Sequence, residues 1–212
     1  MMECSHLLAR LQKGFSMFNM SRRLTLLSVA LGLTLTGTAQ AQNDFPNTKV
    51  LGRAATQYQD DAIQLVAAYY HSQRNHDSNW LLIEAALTTE DRMTIHRDAV
   101  RLITPDGTSL PLAKQERFSQ DIQRVRLLVQ NARMTRHGLR SYFNRRPQTE
   151  RIRFFSLPTG QLVSNNFVVD RFRVALGDLF FESPSGGTWE NGIYTLVLEH
   201  EDVRAAVPIV LE

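Results

Sequence analysis

The sequence has very little cysteine and no long apolar run, and both absences limit what the protein can be. Its single cysteine, Cys4, lies near the N-terminus, so disulfides and thiol chemistry are excluded from the rest of the chain. The apolar run at residues 24–35 has about twelve residues, whereas a membrane-spanning helix needs roughly twenty. No repeat, low-complexity tract or linker divides the sequence, so we expect one domain and no membrane span.

The first 41 residues have the three parts of a secretory signal peptide. A short basic head at residues 20–23 precedes the apolar run, and Ala39-Gln40-Ala41 follows as a small-x-small cleavage site. We therefore predict a signal peptide over residues 1–41 and a mature protein from Gln42, periplasmic or secreted. Residues 1–19 add little to it, and Met17 or Met20 could be the true start. Ser21-Arg22-Arg23 is also similar to a twin-arginine signal, which leaves two export routes open.

The predicted mature chain carries no net charge. Cleavage removes four of the 24 basic residues and one of the 21 acidic residues, which leaves 20 of each. The high isoelectric point of the whole chain is therefore no argument for binding nucleic acid, and we predict none.

Most of the mature chain has the pattern of β-strands. Apolar residues alternate at residues 63–69 and again at residues 81–87, although the second run could also form a short helix. Strands are also predicted at residues 100–103, 109–112, 152–157, 167–176, 193–198 and 203–211. Pro105 and Gly107 predict a tight turn between two of them. Pro208 cannot donate a ladder hydrogen bond, so the last strand should lie at a sheet edge.

One segment interrupts this pattern with a helical period. Residues 114–134 contain neither Gly nor Pro. Their apolar residues recur at steps of three and four and form one stripe, at Phe118, Ile122, Val125, Val129 and Ala132. The segment predicts one amphipathic helix, with Val125 and Val129 facing the sheets.

About eight short strands separated by regular turns indicate a two-sheet sandwich. Residues 189–194, Trp-Glu-Asn-Gly-Ile-Tyr, followed by Leu196 and Leu198, resemble the strand F region of immunoglobulin-like domains. The resemblance extends to the turn around Pro105 and covers about two-thirds of the mature chain. It implies an exported immunoglobulin-like β-sandwich over residues 42–212, with Tyr194 bonded back to the backbone. The helix is an insertion in that fold.

Catalytic signatures are weak. His96-Arg97-Asp98 spells the kinase catalytic triplet, but Ile103 stands where its asparagine is required, so we interpret it as a polar turn. His71 and His76, with Asp77, supply fewer donors than a metal site needs. Asp178 and Glu182 share one strand face and could form a carboxylate pair, although solvated strand ends explain them as well.

The strongest local anomaly is a cluster of nine arginines in residues 124–153, opposed only by Glu150. Aromatic residues are interleaved with them. Guanidinium groups grip oxyanions in bidentate fashion, so the cluster predicts anion binding, while a solvated helix face is the alternative. The predicted binding residues are Arg136, Arg140, Tyr142, Arg145, Arg146, Arg151 and Arg153.

Together these patterns predict a mainly β, immunoglobulin-like module that binds rather than catalyses. Its expected partner is an envelope protein, an anionic glycan or a lipid headgroup, and no cofactor is predicted. The alternative is a periplasmic hydrolase or a metal-handling protein.

Overall fold

The computed structural model describes residues 45–75, 77–136, 138–143, 148–157 and 162–212. The predicted signal peptide lies outside these residues. The described strands are β1 Thr48–Gly52, β2 Ala55–Gln59, β3 Ile63–Ala68, β4 Trp80–Thr89, β5 Met93–His96, β6 Val100–Ile103, β7 Ser109–Pro111, β8 Gln148–Arg151, β9 Asn166–Val169, β10 Arg173–Glu182, β11 Gly192–His200 and β12 Val203–Leu211. The described α-helices are α1 Ser72–Asn75, α2 Gln115–Gln120 and α3 Ile122–Ala132.

The strands form two main sheets, which confirms the mainly β fold class. The larger sheet has the order β1-β2-β3-β4-β10-β8, and the smaller has the order β12-β11-β6-β7. The β8–β10 pair is parallel, and the other pairs within these two sheets are antiparallel. Strands β5 and β9 pair separately. Strand β12 lies at an edge, as Pro208 predicted.

The core of the sandwich lies between the two sheets. On β4 the alternating residues Leu81, Ile83, Ala85 and Leu87 are all buried and belong to this core. They pack in one apolar cluster with residues of β6, β11 and β12 from the smaller sheet. Residues 81–87 are therefore strand rather than helix, because alternation places one set of side chains against the facing sheet.

The other face of the larger sheet is also covered, by the helical segment. Val125 and Val129 are buried against Trp80, Leu82 and Phe180 of β4 and β10. The predicted stripe therefore faces the sheet as expected. The helix is divided between α2 and α3, and at the break the Asp121 carboxylate accepts a hydrogen bond from Trp80 Nε1 at 2.8 Å.

Two of the predicted strands are wrong, and each has a local cause. Residues 152–157 form no strand, although Ile152 and Phe154 are buried. Here the carbonyl of Phe154 accepts from the Arg97 side chain instead of a sheet partner. Residues 167–176 form two strands, because the Asp170 carboxylate accepts from the backbone N–H of Phe172 and makes a turn between them.

Two other local predictions are confirmed. The backbone N–H of Gly107 donates to the carbonyl of Thr104 at 2.9 Å and closes the tight turn before β7. The Tyr194 hydroxyl donates to the carbonyl of Glu190 at 3.0 Å, four residues upstream. Within the described ranges, no helix has both the length and the apolar character needed to cross a membrane.

Candidate functional site

A cavity of about 680 Å³ opens beside α3, on the helix-covered face of the larger sheet. Its floor comes from β4 and β10, one wall from the segment after α3, and the other from residues 149–157. The arginines that line it are Arg133, Arg136, Arg140, Arg151 and Arg153. The fold therefore brings together cations that lie up to 20 residues apart in the chain.

The floor of the cavity carries two carboxylates on neighbouring strands. Glu84 of β4 and Asp178 of β10 stand directly opposite each other in the antiparallel register. Their side chains are only 14% and 27% exposed, and the adjacent Leu82 and Phe180 on the same face are buried. Because like charges directly opposite each other destabilise a sheet, this pair opposes stability unless a cation accompanies it.

Arg136 supplies that cation. Its Nε lies 2.8 Å from Glu84 Oε1, and its Nη2 donates to Asp178 Oδ2. One planar guanidinium thus bridges the two carboxylates. Burial lowers the pKa of Arg136, but Asp178 and Glu84 outweigh it and raise the pKa above its usual value.

The Glu84 carboxyl group has a strongly shifted pKa. Burial raises it, the Arg136 charge opposes that shift, and the Asp178 charge adds to it, so the pKa of Glu84 rises from 4.5 to about 7. Glu84 therefore exchanges its proton near neutral pH. A carboxyl group in a cavity with such a pKa is a candidate functional group.

Gly177 permits the arginine wall to approach the floor. A side-chain Cβ at this position would lie 2.5 Å from Ile152 Cβ and 2.8 Å from the Ile152 carbonyl oxygen. Since these distances are shorter than real Cβ contacts, only glycine allows Ile152 to approach β10 this closely. Arg151 and Arg153, on either side of Ile152, line the cavity.

Three aromatic rings border the charged part of the cavity. The ring centroids of Phe118, Phe155 and Phe180 lie 5.0 Å apart in each pair. Arg97, which does not line the cavity, makes a cation–π contact with Phe155: its guanidinium lies 4.4 Å from the ring centroid. Arg97 also donates to the carbonyls of Ala113 and Phe154, so the turn after β5 is tied both to the start of the helical segment and to residues 152–157.

The structure brings together four of the seven predicted binding residues. Arg136, Arg140, Arg151 and Arg153 line the cavity. Tyr142 instead packs beside the neighbouring cluster around Val66. The other two, Arg145 and Arg146, lie outside the described residues.

The alternative chemical sites are placed differently from the predictions. Asp178 and Glu182 are not a pair: Arg136 binds Asp178, and Arg117 Nη2 lies 2.7 Å from Glu182 Oε1. Four residues along a strand separate them by about 13 Å. His76 lies outside the described residues. Within the described part of the chain, no group of three or more histidine, cysteine or acidic side chains could hold a metal.

The interpretation of His96-Arg97-Asp98 as a turn agrees with the structure. Arg97–Ala99 is a short 3₁₀ turn directly before β6. Its arginine is hydrogen-bonded to the start of the helical segment and to Phe154, as described above.

Glu84 and Arg133 were not predicted as site residues. Glu84 is the one charged residue in the otherwise apolar run of residues 80–87, as Asp178 is in residues 174–181. A lone acid within each of two apolar strands was the signal that could have found the pair. The sequence does not give the register that sets them opposite each other.

Comparison with models of known protein families, with curated proteins and with solved structures finds no significant match. The functional argument therefore depends on the chemistry of this cavity.

Proposed function

We propose that the protein is an exported, non-enzymatic binding module of immunoglobulin-like type that recognises an anionic ligand in the cavity beside α3. The observation that carries the proposal is the convergence of five arginines on a single cavity of about 680 Å³. That volume lies within the range of small-ligand sites.

The charges of the cavity favour an anion. Five arginines face three lining carboxylates, those of Glu84, Glu150 and Asp178. This excess of cations creates a local positive field although the mature chain is neutral.

Three of the arginines have donors to offer a ligand. Among the described residues, no carboxylate lies within salt-bridge distance of Arg133, Arg151 or Arg153. Even a formed ion pair at an exposed site contributes only about 0–1 kcal/mol to stability. Stability therefore explains poorly why these three arginines gather at the cavity.

The aromatic rings narrow the ligand class. Phe155 is half-buried and, with Phe118 and Phe180, lines the cavity next to the charged floor. A ligand that joins an anionic group to an apolar or ring-shaped body matches both parts of the cavity. Lipid headgroups and acidic sugars of the envelope have this chemistry.

The export part of the proposal depends on the signal-peptide pattern before Gln42. The Tyr194 hydroxyl bond and the edge position of β12 are features of the proposed fold type. The intact mass of protein recovered from the periplasm or medium tests export. A mass that begins at Gln42 supports it, and a product that keeps residues 24–35 contradicts it.

Binding is tested with a triple variant and a matched control. Arg133, Arg151 and Arg153 are changed to Gln together, and the control changes Arg92, Arg126 and Arg204, which are exposed and do not line the cavity. Binding to phosphatidylglycerol vesicles and to trigalacturonate is measured at low and moderate salt. We expect the first triple alone to lose binding, and wild-type binding to weaken with salt, because screening acts within about 10 Å at 0.1 M.

A second candidate function is hydrolysis of a glycan. The facing carboxylates Glu84 and Asp178, with the pKa of Glu84 raised to about 7, have the chemistry of a general acid and its partner. Arg136 binds both of them, which favours the binding function. Release of reducing ends from acidic glycans, abolished in both Glu84→Gln and Asp178→Asn, would favour the hydrolase instead.

A further inference from the structure

We propose that the cavity binds an oxyanion together with a proton held by Glu84, so that affinity for the anion rises as the pH falls. The inference depends on the proposed binding function, and it adds the ligand class and its regulation. It starts from the geometry of the floor, where one guanidinium bridges two facing carboxylates.

Glu84 meets charge from several elements packed against it. On the opposite side of β4 its partner on β3 is the apolar Ala68, and its own-strand neighbours on this face are Leu82 and Ala86. The charged groups that line the same cavity are Asp178 from β10, Glu150 and Arg151 from β8, Arg153 after it, and Arg133, Arg136 and Arg140 from the segment that follows α3.

Among these groups, Arg136 is the described cation within ion-pair distance of Glu84. An anion that draws the Arg136 guanidinium toward itself removes the charge that lets Glu84 and Asp178 both stay ionised. Two half-buried carboxylates at cross-strand distance, about 5 Å between their Cβ atoms, then hold one proton between them. If Arg136 stays in place, the incoming negative charge still favours protonation of Glu84. Both geometries take up a proton from solvent.

The proton also helps to select the ligand. A protonated carboxyl group has an O–H that donates a hydrogen bond, whereas an ionised carboxylate only accepts. With Glu84 protonated, the floor offers that donor beside the Arg136 fork, which suits an oxygen-bearing anion such as a carboxylate or a phosphodiester. A halide would use the charge but not the paired geometry.

The pH range over which anion affinity changes follows from the raised pKa that Glu84 already has without ligand. Since the pKa of Glu84 is about 7, below that pH the free protein is already protonated and affinity changes little. Above it, binding must take up a proton. Affinity then falls by as much as about tenfold per pH unit until the pKa of the bound state is reached.

The experiment uses two soluble probes, trigalacturonate and glycerophosphoglycerol, the deacylated headgroup of phosphatidylglycerol. Both stay fully ionised from about pH 6 to about pH 9, so any proton taken up goes to the protein. Isothermal titration at about pH 8, in two buffers that differ in ionisation enthalpy, gives the number of protons bound with each anion. The two probes also separate a sugar-acid ligand from a lipid headgroup.

Two variants accompany the wild type. Glu84→Gln keeps the shape and an acceptor oxygen for Arg136 but cannot titrate, and Glu150→Gln removes another lining carboxylate as the matched control. Circular dichroism confirms that each is folded. We expect proton uptake in the wild type and in Glu150→Gln, and none in Glu84→Gln.

The outcomes separate this inference from the binding function. Anion binding without proton uptake in the wild type, or with equal uptake in Glu84→Gln, overturns the inference and leaves the binding function in place. If neither probe binds to the wild type, the inference and the binding function are both overturned.

Discussion

Replacing Glu84 with Gln is predicted to stabilise the protein at about pH 8 and to change little at about pH 5. The substitution removes one partner of a buried ion pair, which usually destabilises a protein. Here the carboxylate also lies opposite Asp178 in a half-buried floor. Gln keeps an oxygen that can accept from Arg136 and removes the repulsion and the cost of burying the charge.

The magnitude follows from the pKa of Glu84, which burial raises from 4.5 to about 7. Between these values the folded protein binds more protons than the unfolded chain, so the free energy of unfolding falls as the pH rises through this window. Each pKa unit corresponds to about 1.4 kcal/mol, and the whole window to about 3 kcal/mol at most. Glu84→Gln does not lose stability in this way. The difference in free energy of unfolding between the variant and the wild type therefore grows from pH 4.5 and levels off above pH 7.

The assay is denaturant unfolding of wild type and Glu84→Gln at several pH values. Glu182→Gln is the matched control, because it removes the more exposed ion pair with Arg117 on the same face of the sheet and should change stability by only about 0–1 kcal/mol. A stability difference between wild type and Glu84→Gln that is constant with pH, or a variant less stable at about pH 8, would refute the reasoning.

Three further substitutions test the packing. Val125→Ala removes part of a fully buried helix side chain and should lower the free energy of unfolding by about 2 kcal/mol; an unchanged denaturation midpoint would show that α3 is not packed on the sheet. Gly177→Ala forces Ile152 to move and should cost about 1–3 kcal/mol and weaken anion binding, whereas Gly138→Ala, with open space around it, should leave the stability unchanged. Tyr194→Phe loses one hydrogen bond and should cost about 0.5–1.5 kcal/mol by thermal unfolding; no loss would argue against a structural role for that bond.

A strand or helix could be predicted where the element has one apolar face and is long enough for its period to be recognised. The stripe of α3 and the alternation in β4 are of this kind. Strand β4 is buried on both faces, because Trp80 and Leu82 pack against the helices at residues 115–132. The pattern within β4 does not predict this second contact, since it depends on a distant segment of the chain. Strands β1, β2, β5 and β8 escaped prediction because they are short, and β1 and β8 are largely exposed.

The candidate site could be predicted only in part. The cavity arginines could be predicted because they lie close together in the sequence, within residues 133–153. The acidic floor depends on a register between residues 94 positions apart, and nothing local encodes it. Alternation puts Asp178 and Glu182 on one strand face, which made a carboxylate pair one of two interpretations beside solvated strand ends. In a sheet, the residue directly opposite, about 5 Å away, is a nearer neighbour than one four positions along the strand.

The central claim is that the arginines of the cavity bind an anion, and it is tested most directly by measuring which arginines contact an anion. Nuclear magnetic resonance of arginine Nε–H groups during titration with trigalacturonate reports each guanidinium separately, once single Arg→Gln variants have assigned the signals. We predict that the signals of Arg133, Arg136, Arg151 and Arg153 shift together along one binding curve and that those of Arg126 and Arg204 do not. Shifts spread equally over all arginines, or confined to those outside the cavity, would contradict the account.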